Sequence, residues 1–413
     1  MPKTKNRWFI ALSAVGIHLS IGSIYAYSVM VKPLESALGW TKTDISTSFS
    51  IAILFLGLSA AFLGKVVEKK GPKFSGILTA FLYGFGIVGS GLAVKLSSLP
   101  LFILSFGVIG GMGLGLGYIT PVSTLVKWFP KHRGLATGMA IMGFGFSSMI
   151  FGPTMTYLFD KVGIHSTFFI LGSLYFIVIL CSSLYIEPPL KADDTKTADQ
   201  SAQPAKIDLA QLTANEALKT TRFYYIWLML FINITCGIAL ISVASPMAQD
   251  QTGMTAAQAA TVVGLMGLFN GLGRIGWASL SDWLGRPTTY LSFFIIQIIA
   301  FLILPNVHSQ LLFQAIIFLI ITCYGGGFSS VPAFLGDLFG TKELSAIHGF
   351  ILTAWAAAGI VGPTLVAQIR EQTGSYEKTL QIFVMLLTLA FVVTILMMID
   401  IRKKRAIQQL EMA

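Results

Sequence analysis

The sequence predicts an all-α membrane protein whose twelve transmembrane helices form two pseudo-symmetric six-helix bundles. The first observation is composition: 11% of the 413 residues are charged and 54% are hydrophobic, whereas soluble domains are about 25% charged. The second is a series of twelve apolar runs, each close to the roughly 20 residues that cross a bilayer. The third is an internal repeat that relates the first six runs to the last six.

The twelve apolar runs, here called spans 1 to 12, are separated by short polar loops with one exception. That exception is a long stretch rich in Lys, Asp, Thr and Gln between spans 6 and 7, which cannot bury a core. We therefore expect an N-terminal bundle (1–187), a cytoplasmic linker (188–221) and a C-terminal bundle (222–413). The predicted spans are 8–31, 44–64, 74–96, 99–126, 135–159, 166–187, 223–248, 256–280, 288–305, 310–336, 346–369 and 377–400.

Span 1 follows Lys3, Lys5 and Arg7, as the core of a signal peptide would. Its apolar run is longer than the 7–15 residues of such a core, so we expect it to be retained as a membrane helix. Near the end of the linker, Thr213-x-x-Glu216 has the spacing of a capping box. This spacing predicts a short surface helix that leads into span 7.

The two halves repeat each other at an offset of about 210–215 residues. The stretch GKVVEKKG at 64–71 parallels ASLSDWLGR at 278–286, and GPT at 152–154 recurs at 362–364. Duplicated six-helix halves are the architecture of alternating-access transporters, whose substrate site lies between the halves. The charged residues of the two longer stretches are expected to form a latch that holds one conformation. The residues that we assign to this latch are Glu68, Asp282 and Arg286.

The distribution of basic residues predicts the orientation in the membrane. If the N-terminus is inside, the inner segments hold 21 of the 28 Lys and Arg residues and the outer loops hold six. The positive-inside rule then places both termini and the linker in the cytoplasm, with the chain in the cell inner membrane. This placement accounts for the net charge of +10 without a nucleic-acid partner.

One basic residue remains: Arg274, inside span 8. An arginine in a span costs about 2.5–3.5 kcal/mol, and all 18 acidic residues fall in loops or near helix ends. The expected counter-ion is therefore a substrate carboxylate, which the planar guanidinium can bind bidentately; the alternative is a side chain that snorkels to the headgroups. Asn270 lies one turn earlier on the same face. Three roles are open for its amide: it orients the guanidinium, it binds a substrate hydroxyl, or it forms a hydrogen bond to another helix.

His18 is predicted to be the only histidine well inside a span. It shares a helix face with Tyr25, seven residues later. A neutral imidazole at this depth could carry the coupling proton, and the alternative is a hydrogen-bonded packing residue.

These features together resemble the major facilitator superfamily, whose signature loop is Gly-x-x-x-acid-x-x-Gly-basic, here with Glu68 in place of the usual Asp. The chain more narrowly resembles the oxalate/formate antiporter and bacterial monocarboxylate (lactate/pyruvate) transporter branch. The stretches that carry this resemblance are NRW at 6–8, GSIY at 22–25, KWFP at 127–130, RGLATG at 133–138 and NGLGR at 270–274.

The resemblance implies that Arg274 holds the substrate carboxylate. It also implies an aromatic lining by Tyr25, Tyr118, Phe144, Tyr324 and Phe328. The oxalate-type transporter has a lysine in span 11 at the position where this chain has Trp355. That difference argues against dicarboxylate exchange, and the indole would instead bound a short alkyl tail.

The predicted function is secondary active, proton-coupled transport of small monocarboxylates of the lactate, pyruvate and formate class. The main alternative is an oxalate/formate-type anion antiporter; efflux of cationic drugs and carboxylate sensing by a receptor are less consistent with the sequence. No nucleophile–base pair, metal-ligand cluster or cofactor motif is visible in the sequence. We therefore expect no enzymatic activity, metal or cofactor, and a monomer whose partners are the substrate, protons and membrane lipid.

Overall fold

The computed structural model describes residues 5–189 and 208–412. Lys3 and the linker interior, 190–207, therefore lie outside the described residues. Within the described ranges, eleven apolar helical segments are long enough to cross a membrane. They are Arg7–Ala26, Thr43–Lys95, Leu99–Trp128, Arg133–Val162, Ile164–Tyr185, Thr221–Thr252, Gln258–Leu284, Arg286–Asn306, Gln310–Phe339, Leu344–Thr373 and Glu377–Leu410.

The second of these segments, Thr43–Lys95, contains two spans. Its 53 residues would extend for about 80 Å at 1.5 Å per residue, far beyond the roughly 30 Å hydrocarbon core. Gly71 interrupts it with non-helical backbone angles (φ 82°, ψ 167°), which glycine adopts without a Cβ clash. Spans 2 and 3 are therefore 42–70 and 72–95, and the predicted all-α architecture of twelve membrane helices is confirmed.

Two elements next to the spans show how local sequence shapes the chain. Span 1 ends earlier than predicted, because its last turn is a 3₁₀ helix, Gly22–Ala26, followed by a separate helix, Ser28–Leu38.

The predicted surface helix of the linker is confirmed as Ala214–Ala217. The Glu216 carboxylate accepts a 2.7 Å hydrogen bond from the Thr213 backbone N–H, which lowers the pKa of Glu216.

The two halves contact each other mainly along two helix pairs, spans 5 and 8 and spans 2 and 11. Small residues allow both approaches. A Cβ added to Gly145 in span 5 would lie 2.7 Å from the Cα of Gly271 in span 8, and one added to Gly349 in span 11 would clash with the Ala60 carbonyl in span 2. The internal repeat relates these two pairs, because spans 5 and 2 of the first half correspond to spans 11 and 8 of the second. The division into units at 187/188 and 221/222 remains a proposal.

Candidate substrate-binding site

Arg274 and Asn270 lie one turn apart on span 8, at the boundary between the halves. The Arg274 Nε–H donates a 3.1 Å hydrogen bond to Asn270 Oδ1, which holds the guanidinium in place. Arg274 is fully buried, so in this structure it does not snorkel to a headgroup layer. Its Nη1 and Nη2 have no hydrogen-bond partner among the described residues.

The guanidinium of Arg274 is surrounded by aromatic rings from three other spans. Its Cζ lies 5.1 Å from the ring centre of Phe328, 5.5 Å from that of Phe144 and 6.0 Å from that of Tyr25. These distances fall within the range of cation–π attraction. The rings come from spans 10, 5 and 1, so both halves contribute to the environment of the one arginine.

Trp355 connects this cluster to the remaining predicted tyrosines. Its ring centre lies 4.8 Å from that of Phe328 and 5.5 Å from that of Tyr118. Tyr25 and Tyr324 meet across the two halves through a 3.2 Å contact between their hydroxyls. The structure thus brings together every residue that the sequence analysis assigned to substrate binding. The Trp355 Nε1–H has no partner among the described residues, so the indole supplies a donor as well as apolar surface.

His18 belongs to the same cluster, and so does a second histidine. The His18 ring is fully buried, with its centre 5.2 Å from that of Tyr118. The sequence analysis did not single out this second histidine. His348, in the first turns of span 11, is 1% exposed, and its ring centre lies 5.9 Å from that of Tyr118. Its spacing of seven residues from Trp355, which places both on one helix face, was the signal that could have found it.

The predicted latch residues lie at the end of the bundle that carries the linker, here called the linker side. The Asp282 carboxylate accepts hydrogen bonds from the backbone N–H groups of Gly134 (2.9 Å) and Leu135 (3.0 Å), in the first turn of span 5. Arg286 donates to the same carboxylate at 2.5 Å. The first N–H groups of a helix have no partner within the helix and attract negative charge. Asp282 thereby joins the C-terminal half to the N-terminal half.

Glu68 makes the equivalent contact in the opposite direction. Its carboxylate accepts a 2.8 Å hydrogen bond from the Ser345 backbone N–H, in the first turn of span 11, and pairs with Lys127 at 2.9 Å. Each half therefore places an acidic side chain of its second span on the N-terminus of the other half's fifth span. The internal repeat recurs in three dimensions as two matched carboxylate–helix contacts.

A sequence profile described as the Major Facilitator Superfamily matches residues 13–363. The chain belongs to the major facilitator superfamily. It is 26% identical over 378 residues to the oxalate:formate antiporter of Oxalobacter formigenes, covering 89% of this chain and 86% of the relative. It is also 26% identical over 390 residues to monocarboxylate transporter 2 of Homo sapiens, covering 87% of this chain and 79% of that one.

The solved structure of FucP, a major facilitator superfamily transporter in the outward conformation, has the same fold. It matches this chain with a TM-score of 0.74 at 17% identity, covering 94% of this chain and 98% of FucP. The protein is accordingly a multi-pass membrane transporter of the major facilitator superfamily.

The linker side of this superfamily member contains a charge network that the sequence analysis missed. Asp337, at the end of span 10, pairs with Arg286 (3.1 Å) and with Arg133 of span 5 (3.1 Å). Arg133 also pairs with Asp208 at 2.6 Å, and the Leu209 backbone N–H donates to the Asp337 carbonyl at 2.9 Å. The end of the linker thus bridges the two halves next to the latch. No spacing rule joins residues 51 to 204 positions apart, so these pairs left no signal in the sequence.

We expect Asp208→Asn to loosen the linker end. The substitution removes the charge that binds the buried Arg133, which costs about 1–2 kcal/mol while Asp337 still pairs with it. Hydrogen–deuterium exchange of the 208–217 segment in liposomes should then accelerate by roughly tenfold. Asp250→Asn is the matched control, because Asp250 pairs with Arg370 in an exposed contact elsewhere. Equal exchange in the Asp208 variant and the wild type would contradict the bridging role.

Proposed function

We propose that this transporter is a secondary active carrier of small monocarboxylates of the lactate, pyruvate and formate class, working by alternating access. The observation that carries the proposal is the Arg274 guanidinium. It is buried at the boundary of the halves, and both terminal nitrogens lack a partner among the described residues. A carboxylate matches the two parallel donors of a guanidinium. A second negative charge would remain uncompensated in this apolar setting, which favours a monoanion.

The surrounding side chains have distinct roles in this proposal. Arg274 binds the carboxylate, and Asn270 fixes the rotamer of Arg274 through the Nε–H bond. Tyr25 and Tyr324, whose hydroxyls meet from opposite halves, supply further hydrogen bonds to the anion. Trp355 packs against the aromatic rings around the guanidinium and bounds the short alkyl tail.

Alternating access requires contacts that hold one side closed and can be broken. Glu68, Asp282 and Arg286 are proposed as the conformational latch. The contacts of Glu68 and Asp282 connect the halves at helix ends rather than in the packed interior, and Arg286 holds the Asp282 carboxylate from within its own half. By the distribution of basic residues, the linker side is cytoplasmic. We accordingly place the carrier in the cell inner membrane as a monomer with both termini in the cytoplasm.

Proton coupling is proposed to involve His18. Its Nδ1 contacts the Ala14 carbonyl at 3.2 Å, while Nε2 has no partner among the described residues. The monocarboxylate transporter of Homo sapiens among the relatives supports the substrate class. The oxalate:formate antiporter supports the second candidate, anion exchange.

Uptake into liposomes that contain the purified protein tests the two candidates. Labelled lactate, pyruvate, formate and oxalate would be compared with and without an inward proton gradient, and with and without internal substrate. Monocarboxylate uptake into empty vesicles, stimulated by the gradient, is the expected result. Oxalate uptake that requires internal substrate would favour the anion exchanger over the monocarboxylate carrier. Transport of none of the four acids would refute both candidate functions.

A further inference from the structure

The position of the hydrogen on the His18 ring is assigned from the contact of its Nδ1 with a backbone carbonyl. Nδ1 lies 3.2 Å from the Ala14 carbonyl oxygen, which can only accept, so Nδ1 carries the hydrogen. In the neutral ring, Nε2 is then an acceptor with a free lone pair. That nitrogen is buried and has no donor among the described residues. A buried acceptor without a donor is unfavourable, and it would be satisfied by a ligand that brings an O–H group.

Two further buried polar atoms lie beside His18 without partners. The Tyr118 hydroxyl and His348 Nδ1 both lack hydrogen bonds within the described part of the chain. The Tyr118 ring contacts both histidine rings, with centres 5.2 Å and 5.9 Å away. Spans 1, 4 and 11 thus each contribute one unsatisfied polar atom around a single tyrosine ring. We call these three residues the histidine–tyrosine cluster.

The histidine–tyrosine cluster adjoins the environment of Arg274 through one shared ring. The centre of the Phe144 ring lies 5.5 Å from the Arg274 Cζ, 5.6 Å from the Tyr118 ring centre and 6.4 Å from the His18 ring centre. The Arg274 guanidinium and the polar side chains of the histidine–tyrosine cluster therefore lie around the same aromatic ring, that of Phe144. A small molecule with a carboxylate and a nearby second polar group matches this arrangement better than a simple fatty acid does.

We infer that the histidine–tyrosine cluster is a second polar subsite, which recognises a hydroxyl group on the carbon chain of the carboxylate that Arg274 holds. The hydroxyl donates to His18 Nε2 and accepts from the Tyr118 O–H. An oxo group can accept from Tyr118 but has no hydrogen for Nε2, and an unsubstituted acid satisfies neither. Sites built to bind a substrate hydroxyl discriminate strongly against the analogue that lacks it. This inference rests on the proposed carboxylate role of Arg274.

The test compares lactate, as both enantiomers, with propionate, which differs only by the hydroxyl. Uptake into liposomes is measured at one fixed proton gradient, so that any coupling role of His18 affects both acids alike. We expect the wild type to prefer one lactate enantiomer over propionate by at least about tenfold. Equal uptake of lactate and propionate would overturn the hydroxyl subsite while leaving the monocarboxylate carrier in place. Uptake of neither acid would refute the proposed function itself.

Two substitutions of His18 separate its nitrogens. In His18→Asn the amide reaches the position of Nδ1 and leaves no acceptor at the position of Nε2. The ratio of lactate to propionate uptake should therefore fall towards one, because any loss of proton coupling lowers both rates alike. In His18→Gln the amide reaches the Nε2 position and should restore part of the preference. Tyr118→Phe should also reduce it, and His165→Asn, on an exposed histidine, should not. An unchanged preference in both His18→Asn and Tyr118→Phe would contradict the inference.

Discussion

Arg274→Gln is expected to lower carboxylate uptake by at least about 30-fold. Truncating one member of a buried charge pair costs about 2–5 kcal/mol, and each 1.4 kcal/mol corresponds to a factor of ten. The uptake rate of Arg274→Lys should lie between those of Arg274→Gln and the wild type. Lysine keeps the charge but lacks the planar guanidinium fork and the Nε–H bond to Asn270. Initial rates of labelled lactate uptake into liposomes measure both effects.

The same Arg274→Gln variant should remain folded, which separates loss of binding from loss of structure. The substitution removes a buried cation whose terminal nitrogens are unpaired within the described residues. Its melting temperature in detergent should therefore equal or exceed that of the wild type. Arg370→Gln is the matched control, since Arg370 is half-exposed and pairs with Asp250 away from the site. Wild-type uptake by the Arg274→Gln protein would rule out the carboxylate role.

Asp282→Asn is expected to open the linker side and to slow uptake by at least roughly tenfold. The asparagine offers one oxygen where the carboxylate accepts from Gly134 N, Leu135 N and Arg286, and its amide N–H₂ would face one of these donors. Loss of the charge also removes the attraction to the N-terminus of span 5. We expect the closed state to lose about 2–3 kcal/mol, because hydrogen bonds to charged groups contribute 1.5–3 kcal/mol.

Spin labels on the two halves would measure this opening directly. Exposed side chains at the linker-side ends of spans 2 and 8, Lys69 and Trp283, offer suitable positions. A Cys181→Ser background avoids labelling of the exposed native cysteine, since Cys236 and Cys323 are buried. The distance distribution should shift to longer values in Asp282→Asn.

Two further variants set the scale of this experiment. Glu68→Gln should lengthen the distance less than Asp282→Asn does, because Glu68 binds one backbone N–H instead of two. Asp250→Asn, which breaks an exposed pair elsewhere, is the control and should leave the distance unchanged. A distance that does not change in either latch variant would refute the latch.

The features that could be predicted are those encoded over short stretches of chain. Apolar runs of membrane-spanning length predict the helices, and the Thr213-x-x-Glu216 spacing predicts the capped turn at Ala214–Ala217. The isolation of Arg274 among apolar neighbours is likewise visible along the chain, because an unpaired charge in a span is costly wherever the span packs. The early end of span 1 could not be predicted from hydropathy, because the 3₁₀ turn Gly22–Ala26 interrupts a run that remains apolar.

The sequence by itself therefore determined the membrane environment, the number of spans, the duplication of the halves and the position of Arg274 deep inside span 8. The tertiary structure alone decided which atoms meet: His348 with Tyr118, and Arg133 with both Asp208 and Asp337. Hydropathy and capping depend on neighbours within a few turns of helix. Contacts between the halves join residues far apart in the chain, and only the packing of helices whose glycines permit close approach brings their side chains within hydrogen-bond distance.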